Sequence, residues 1–424
     1  MNTETSSLVS NGTTGSSNGI VVFLVGLWMI SQFVSIPYMN TIVSCILLAM
    51  IILLCFALHP RILSEKGIIV LFAFVFVEVI YMLMGKGFTS IGVLWTSLNF
   101  MACTTVCFSF YSFSNKQLNL LYWVMTCLLL YSMVSTFIIL MENPMAVRDY
   151  GYGLAGNASS FESQLWVNYR SRGMYSYGIG EALSVITPAY LALGVMNEKS
   201  WCKVVAIFIS IISILTQTMA SLTTSSLLSI VFVILTLLSL FRVSRQRKKI
   251  NAILIIIFFV IVGFTLFSVF LSDELMFMLK LNQVEESYET GTAVGGVENR
   301  WYLYLRSLKV FLHNPLLGLG DCPETFGLYT NSMVSLHTSL FDYLGLFGMF
   351  TLLLYYAWKE AINTSYVLLD KDQKKVFRWG LFSLFFLLAL KGPVTITNTY
   401  MFSTIFLGLI IRRNLFLSTH KTTN

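Results

Sequence analysis

The chain has 424 residues, of which 56% are hydrophobic and only 11% are charged. A soluble domain carries about 25% charged residues, so this composition excludes a soluble fold and indicates an integral membrane protein. The formal net charge of +7 does not indicate nucleic acid as a partner, because the basic residues cluster at the ends of apolar runs, where they set orientation in a membrane.

Apolar runs long enough to cross the hydrocarbon core recur along the chain after a polar tail at 1–18. The runs lie at 19–36, 41–58, 67–84, 91–111, 119–141, 178–196, 204–220, 222–241, 250–271, 340–357, 376–391 and 397–411. They predict an all-α polytopic membrane protein of about 12 transmembrane helices. Spans 1–9 occupy residues 19–271, spans 10–12 occupy 340–411, and a second tail follows at 412–424.

The distribution of Lys and Arg predicts the side on which each loop lies. An even number of spans puts both termini on one side, and the short loops there hold most of the basic residues, including RVSRQRKK at 242–249. The short loops on the other side hold only Lys86 and Lys391. Because basic loops stay in the cytoplasm, we predict cytoplasmic termini. Two long segments, at about 142–177 and 272–339, then face outward.

The later outward segment contains ENRWYLYLRSLKVFLHNP at 298–315, whose aromatic and aliphatic residues have helical spacing. This pattern predicts an amphipathic helix at the membrane interface. Pro315 should end the helix, and Gly318 and Gly320 permit a tight turn after it.

Basic side chains on this helix are suited to a lipid diphosphate. Arg306 and Lys309 are three residues apart and share a face, and Arg300 projects from the first turn. A planar guanidinium can donate two parallel hydrogen bonds to phosphate oxygens. The alternative is that these residues are interfacial cations extended toward the head groups.

His337 lies just ahead of the apolar run that begins near Ser339, where a lipid head group meets water. Imidazole is the side chain whose unperturbed pKa suits general-base catalysis near neutral pH. Asp342 follows in the same run and reaches the histidine only through the fold. The alternative is a structural role, which is the commoner one for a lone histidine before a transmembrane helix.

The earlier outward segment ends in YRSRGMYSYGIGEALSV at 169–185, where Arg170 and Arg172 precede the sixth span and Glu181 lies in its first turns. An ionisable residue inside a span is costly unless it is paired or faces a cavity. Glu78, in the middle of the third span, likewise needs a partner or a cavity. For both acids, a structural pairing with a buried arginine is the alternative to a functional role.

No pattern indicates a metal or a cofactor. The outward segments lack HxxxH and Cys/His ligand clusters, and the chain has no P-loop or dinucleotide glycine pattern. DKD at 370–372 is similar to the metal-binding DxD of nucleotide-sugar transferases, but the topology places it in a cytoplasmic loop. We therefore expect DKD to be a solvated loop and the protein to need no cofactor.

Taken in order, these features resemble the O-antigen ligase and polymerase superfamily. The resemblance is best over about 298–350, where Arg300 is followed by Trp301, then by NPLLGLG, and then by His337 ahead of LFDYLGLFG. A weaker likeness surrounds 169–200. Members of this superfamily handle polyprenyl-diphosphate-linked glycans on the periplasmic face of the bacterial inner membrane.

Two positions depart from the family pattern. The family commonly has Asn after the catalytic His, whereas Thr338 stands here. It often carries an Arg-containing turn between two central spans, whereas TQTMASLTTSSLLS at 216–229 has no Arg. Arg172 or Arg170 is the expected substitute for this second phosphate-binding arginine.

The resemblance implies a GT-C-like fold and metal-independent, inverting glycosyl transfer from an undecaprenyl diphosphate. His337 would be the catalytic base, with Glu181 and Asp342 as supporting residues. The residues expected to bind diphosphate are Arg300, Arg172, Arg306 and Arg170.

Several functions fit these features. A polymerase would join lipid-linked repeat units of O-antigen or capsule, with a chain-length regulator and a flippase as partners. A ligase would transfer the glycan to the lipid A core. A flippase or other transporter is a third class, but the chain shows neither internal repeats nor matched Gly/Pro-interrupted helices. A non-enzymatic scaffold in an envelope-glycan complex is the fourth.

Overall fold

The computed structural model describes residues 17–34, 41–84, 90–144, 146–147, 168–196, 200–220, 222–243, 263, 297–320, 338–391 and 396–422. All regular secondary structure in these ranges is helical, which confirms the predicted all-α class. The principal helices are α1 (Ser17–Phe33), α2 (Thr41–Leu58), α3 (Lys66–Leu83), α4 (Ser90–Ser109), α5 (Asn115–Glu142), α6 (Tyr177–Met196), α7 (Ser200–Met219), α8 (Thr223–Val243), α9 (Val297–His313), α10 (Ser339–Phe347), α11 (Thr351–Tyr366), α12 (Lys371–Leu390), α13 (Ile396–Met401) and α14 (Leu407–Thr422).

Every predicted apolar run except the ninth corresponds to one of these helices or to a pair of them. The ninth run, at 250–271, lies outside the described residues apart from Gly263. Within the described ranges, six helical segments are long and apolar enough to cross a membrane. The helical nature of the runs is thus confirmed, while a total of twelve spans stays a prediction.

Two predicted spans are interrupted helices. The tenth is divided by a short 3-10 turn at Gly348–Phe350 and continues to Tyr366, beyond the predicted end. The twelfth contains a π-helical turn at Phe402–Phe406 between α13 and α14. Apolar periodicity did not predict either interruption, because Gly348–Phe350 and Phe402–Phe406 contain no charged residue that would end an apolar run.

Helix α6 is the centre of the bundle. Every residue from Gly178 to Gly194 is buried, and α7, α8 and α12 pack around it. Pro188 lies inside this helix and cannot donate the backbone hydrogen bond that Ser184 would otherwise accept. The Ser383 hydroxyl of α12 donates to the Ser184 carbonyl oxygen at 2.7 Å instead. Because a bilayer offers no water to an unpaired carbonyl, this bond holds α12 against α6 at a fixed position.

One end of the bundle brings together the C-terminal ends of α3, α5 and α12 and the N-terminal ends of α6 and α10. We call it the site end. Tyr81, near the end of α3, donates to the Leu317 carbonyl oxygen. Ser132 of α5 donates to the Gly173 carbonyl oxygen ahead of α6 at 2.9 Å. These are the helix ends that the predicted topology places on one side of the membrane.

The opposite end carries structural polar contacts. The Arg412 guanidinium lies over the Tyr111 ring at 4.5 Å and donates to the Ser365 hydroxyl at 3.2 Å. Asp370 caps α12 by accepting from the Gln373 backbone N–H at 2.8 Å, and Asp372 pairs with the exposed Lys375. The DKD sequence is therefore solvent-exposed, as expected, but it is the start of α12 and not a loop.

Candidate functional site

The two glycine-containing strings of the predicted site form a single interlocked structure. The turn after α9 donates from the Leu319 N–H to the Gly345 carbonyl oxygen at 2.9 Å and from the Gly320 N–H to the Leu346 carbonyl oxygen at 2.7 Å. The Met349 N–H returns a bond to the Pro315 carbonyl oxygen at 2.9 Å. NPLLGLG and LFDYLGLFG therefore fix each other's position backbone to backbone.

Glycine is required on both sides of this contact. Gly318 has φ of 67° and Gly348 has φ of 57°, a region that L side chains rarely adopt. A Cβ on Gly348 would lie 2.5 Å from the Leu316 carbonyl oxygen, and a Cβ on Gly318 would overlap the Leu346 carbonyl group. The predicted tight turn at Gly318 and Gly320 is confirmed. α9 also ends at His313, as expected ahead of Pro315.

Asp342 is hydrogen-bonded to Thr338, the residue that follows His337 in the chain. Its carboxylate is fully buried and accepts a hydrogen bond from the Ser307 hydroxyl of α9. The second oxygen accepts from the Thr338 backbone N–H at 2.9 Å. His337 itself lies outside the described residues. Asp342 thus joins α9 to the start of α10, directly beside the chain position of the predicted base.

Lys391 and Glu181 form a buried ion pair at the site end. The Lys391 ammonium is 2.8 Å from Glu181 Oε1, and the two side chains are 11% and 1% exposed. Tyr177 lies beside the ammonium, with its hydroxyl at 3.4 Å and its ring centre at 5.5 Å. The expected partner of Glu181 was an arginine, and the structure places a lysine there. Glu78, the other acid within a span, accepts from the Ser97 hydroxyl at 2.5 Å.

The backbone of Lys391 is bonded to the start of α10. Its carbonyl oxygen accepts from both the N–H and the hydroxyl of Ser339, the latter at 2.8 Å. The Tyr304 hydroxyl of α9 donates to the neighbouring Leu390 carbonyl oxygen at 3.3 Å. The end of α12, the start of α10 and α9 therefore meet at one place.

The residues that α9 buries differ from those that the helical spacing of its apolar residues predicted. Arg306 is only 7% exposed, with Ser307 and Val310 also buried, whereas Lys309 is exposed. Although Arg306 and Lys309 are only three residues apart, they differ in exposure, because the buried face of α9 packs on α10 and carries Ser307 toward Asp342. Arg300 lies in the first turn of α9, as predicted, and its side chain is outside the described part of the chain.

The two arginines ahead of α6 lie at the site end but already have protein partners. Arg172 forms an ion pair with Glu142 at 2.7 Å, and the side chains are 36% and 54% exposed. Arg170 donates to the Ser31 carbonyl oxygen at 3.3 Å. They belong to the α1 and α5 side of this end, whereas Arg306, Asp342 and Lys391 belong to the α9, α10 and α12 side.

Polar contacts join α7 and α8 across the turn that lacks the family's arginine, and the buried Ser225 hydroxyl has no hydrogen-bond partner among the described residues. Gln217 donates to the Ser213 hydroxyl at 2.9 Å and accepts from the Ser229 hydroxyl at 3.0 Å. Leu222 of this turn packs directly on Gly180, the residue before Glu181. The segment at 216–229 therefore contacts α6 at the residue before Glu181.

Lys391 is the site-end residue that sequence reasoning did not select. Its position in the sequence could have identified it. Lys86 and Lys391 are the only basic residues in the short loops that are predicted to face outward. Its pairing with Glu181 joins residues 210 positions apart in the chain (391 − 181) and leaves no local pattern.

These features define a multi-helical integral membrane protein. Its hydrogen-bonded glycine-containing turns and its buried charged residues lie at the site end of the bundle. Comparison with protein families is consistent with that class and is more specific. The sequence model described as O-antigen ligase matches residues 204–356, a range that contains the 216–229 turn, Arg300, both glycine strings and His337. This match confirms the predicted resemblance to the O-antigen polymerase and ligase superfamily. No curated protein matches the chain.

Proposed function

We propose that this protein is a glycosyltransferase that uses a polyprenyl-diphosphate-linked glycan as donor and extends O-antigen or capsule-type polysaccharide. The observation that carries the proposal is the match to the O-antigen ligase family over residues 204–356. The Asp342 contacts support it, because they hold the chain rigidly beside the family's catalytic position.

The chemistry requires a base and a stabilised leaving group. His337 accepts the proton from an acceptor sugar hydroxyl while that oxygen forms a bond to the anomeric carbon of the donor. The bond from the anomeric carbon to the phosphate oxygen breaks, and polyprenyl diphosphate leaves with the electron pair. One displacement inverts the anomeric centre. The diphosphate is a good leaving group, so the proposal needs no covalent enzyme intermediate.

Cations stabilise the charge that develops on the departing diphosphate. Arg300 and Arg306 are the candidates from α9, and Arg172 and Arg170 are those from the segment ahead of α6. Arg306 is buried, where a low dielectric strengthens its interaction with an anion. The Arg172–Glu142 pair is half-exposed and would open or reorient to reach a substrate.

Asp342 and Glu181 act as supporting residues. Asp342 positions the backbone ahead of α10 through the Thr338 N–H. Glu181 holds Lys391. In this proposal the site faces outward from the bacterial inner membrane, both termini are cytoplasmic, and the lipid donor enters between spans of a GT-C-like bundle.

Two versions of this function differ in the acceptor that receives the glycan. A polymerase adds the glycan to another undecaprenyl-diphosphate-linked repeat unit and works with a chain-length regulator and a flippase. We favour this version because aromatic-rich chains with a degenerate family signature are typical of the polymerases. The alternative is a ligase that uses the lipid A core, and the description of the matching family as O-antigen ligase favours it.

Substitutions test the enzymatic proposal in cells. We expect His337→Ala and Arg300→Ala to leave the protein expressed and inserted but to abolish glycan extension, because each removes a group required in the displacement. The matched control is Lys309→Ala, an exposed cation on the same helix as Arg300, which should leave the glycan normal. Gel electrophoresis of surface glycan measures chain length. Normal polymer from both site variants would favour a transporter or scaffold.

The surface glycan of a deletion strain distinguishes the two acceptors. Loss of polymer with core capped by a single repeat unit indicates a polymerase, since ligation still occurs. Complete loss of the O-chain, with lipid-linked polymer retained in the inner membrane, indicates a ligase. Mass spectrometry of the core oligosaccharide provides the measurement.

A further inference from the structure

Lys391 and Glu181 are buried together where stability alone does not require an ion pair. Removing two charges from water costs several kcal/mol per ion, and replacing such pairs by apolar residues is often neutral or stabilising. The pair is nevertheless enclosed, with Glu181 only 1% exposed on its side chain. Intramembrane ionisable residues more commonly mark substrate or ion sites.

The pair is also incompletely satisfied. Glu181 Oε1 is 2.8 Å from the ammonium, while Oε2 is buried and has no hydrogen-bond partner among the described residues. The Tyr177 hydroxyl lies at 3.4 Å from the ammonium, which is at the long end for a hydrogen bond. Of these two contacts, the one to Tyr177 is the weaker, and another oxygen can replace it.

Lys391 is bonded to the start of α10, close in the chain to the predicted base. Its carbonyl oxygen is bonded to Ser339, two residues after His337 in the chain. On the other side, Glu181 follows Gly180, on which Leu222 of the 216–229 turn packs. That turn contains neither Arg nor Lys, and Lys391 is the cation paired with Glu181, the residue after Gly180.

We propose that Lys391 is a substrate-binding residue whose ammonium contacts the diphosphate of the lipid donor, and that Glu181 is its positioning residue. This inference rests on the proposed function, because it names a further contact in the same site. On binding, a phosphate oxygen replaces the Tyr177 hydroxyl at the ammonium while Glu181 keeps its contact. As the sugar departs, the ammonium lies against the leaving group and stabilises the added negative charge.

Arg172 and Lys391 differ in what substrate binding would require of each. Arg172 is paired with Glu142 at a half-exposed position, where water already screens both charges. Lys391 is enclosed, so its interaction with an arriving anion is less screened. The buried lysine therefore contributes more to diphosphate affinity than the surface arginine.

Binding of farnesyl diphosphate to the purified protein in lipid nanodiscs tests the proposal, with farnesol as the uncharged reference. The informative variant is the double substitution Lys391→Met with Glu181→Gln, which removes both charges and leaves no unpaired ion in the core. Glu181→Gln alone keeps the ammonium, and Lys391→Arg keeps the charge. Thermal unfolding of each variant reports whether it is folded.

We expect the wild-type protein to prefer farnesyl diphosphate over farnesol and the double variant to lose affinity for the diphosphate by about tenfold or more, the usual effect of one charge-assisted hydrogen bond. Lys391→Arg should retain the affinity to within about threefold, whereas Glu181→Gln, which weakens the contact that positions the ammonium, should lower it by less than the double variant does. Farnesol binding should not change. A folded double variant that binds farnesyl diphosphate as tightly as the wild type overturns the role of Lys391 and assigns the pair to structure.

The failures of the two proposals are distinguishable. If the wild-type protein shows no preference for the diphosphate over farnesol, the proposed donor class is wrong and the role of Lys391 falls with it. If the preference exists but survives in the double variant, only the role of Lys391 is wrong. The matched control is Lys375→Met with Asp372→Asn, an exposed ion pair at the other end of α12, which should bind farnesyl diphosphate like the wild type.

Discussion

At the scale of single residues, the site depends on buried acids that organise the backbone. Asp342 is completely buried and receives hydrogen bonds from Ser307 and from the Thr338 N–H. Low dielectric surroundings make each of these bonds strong and make an unpaired group costly. The position of Thr338, the residue after His337 in the chain, is therefore set by a buried carboxylate.

Asp342→Ala should destabilise the protein and impair its activity. The substitution leaves the buried Thr338 N–H and the Ser307 hydroxyl without an acceptor, at a cost of about 1–3 kcal/mol for an unsatisfied buried group. We expect a lower melting temperature in detergent and loss of glycan extension. Asp372→Ala is the control, because that carboxylate is exposed. Equal melting temperatures for the two variants would contradict the role given to Asp342.

Sequence reasoning identified the ionisable residues at this scale better than their partners. Glu181 was selected because a carboxylate within a span needs a partner or a cavity, and it does have a partner. That partner is Lys391, which directly follows α12, far along the chain from α6. Pairings between distant residues depend on how helices pack, and local periodicity contains no information about that.

At the scale of elements, the two glycine strings define the geometry around the site. The turn after α9 and the break between α10 and α11 exchange three backbone hydrogen bonds (Leu319 to Gly345, Gly320 to Leu346, Met349 to Pro315). The sequence predicted the turn from Pro315 and the glycines that follow. It did not predict the break at Gly348, because LFDYLGLFG reads as one continuous apolar helix.

Gly348→Ala should disrupt this contact. The alanine would be forced to a φ of 57°, and its Cβ would lie 2.5 Å from the Leu316 carbonyl oxygen. Strain of this kind costs on the order of 1–3 kcal/mol for the backbone alone. We expect a lower melting temperature and reduced activity.

Gly26→Ala in α1 is the matched control for that variant. Nothing lies within 4 Å of a Cβ built there, and alanine is the better helix former by about 0.5–1 kcal/mol. It should melt at the wild-type temperature or above. If both alanine variants behaved alike, the close backbone approach at Gly348 would not be the determinant.

At the scale of the whole molecule, the apolar runs predicted the helices that the described residues form. Helices occur at the predicted runs within the described residues, and the ends assigned to one side of the membrane do meet at the site end. The central place of α6 was not predicted, because apolarity is similar among many of the spans. Its Gly and Ala residues and its buried Ser and Thr distinguish it only after the packing is known.

The predicted orientation places the site end outside the cytoplasm. We expect Ser171→Cys, exposed at the site end, to react with a membrane-impermeant maleimide on cells with a permeabilised outer membrane. Lys375→Cys, exposed at the opposite end, should react only after the inner membrane is opened. The wild-type protein with its native cysteines gives the background. Labelling of Lys375→Cys from outside would reverse the topology.

The most direct test of the account is reconstitution of the reaction. Purified protein in lipid vesicles would receive the lipid-linked repeat unit extracted from a strain that lacks this chain, and the products would be separated by length and mass. The account predicts longer lipid-linked oligomers together with released polyprenyl diphosphate for the wild-type protein, and neither for His337→Ala. Equal extension by wild type and His337→Ala, or none by a folded wild-type protein with either lipid-linked or lipid A core acceptors, would contradict it.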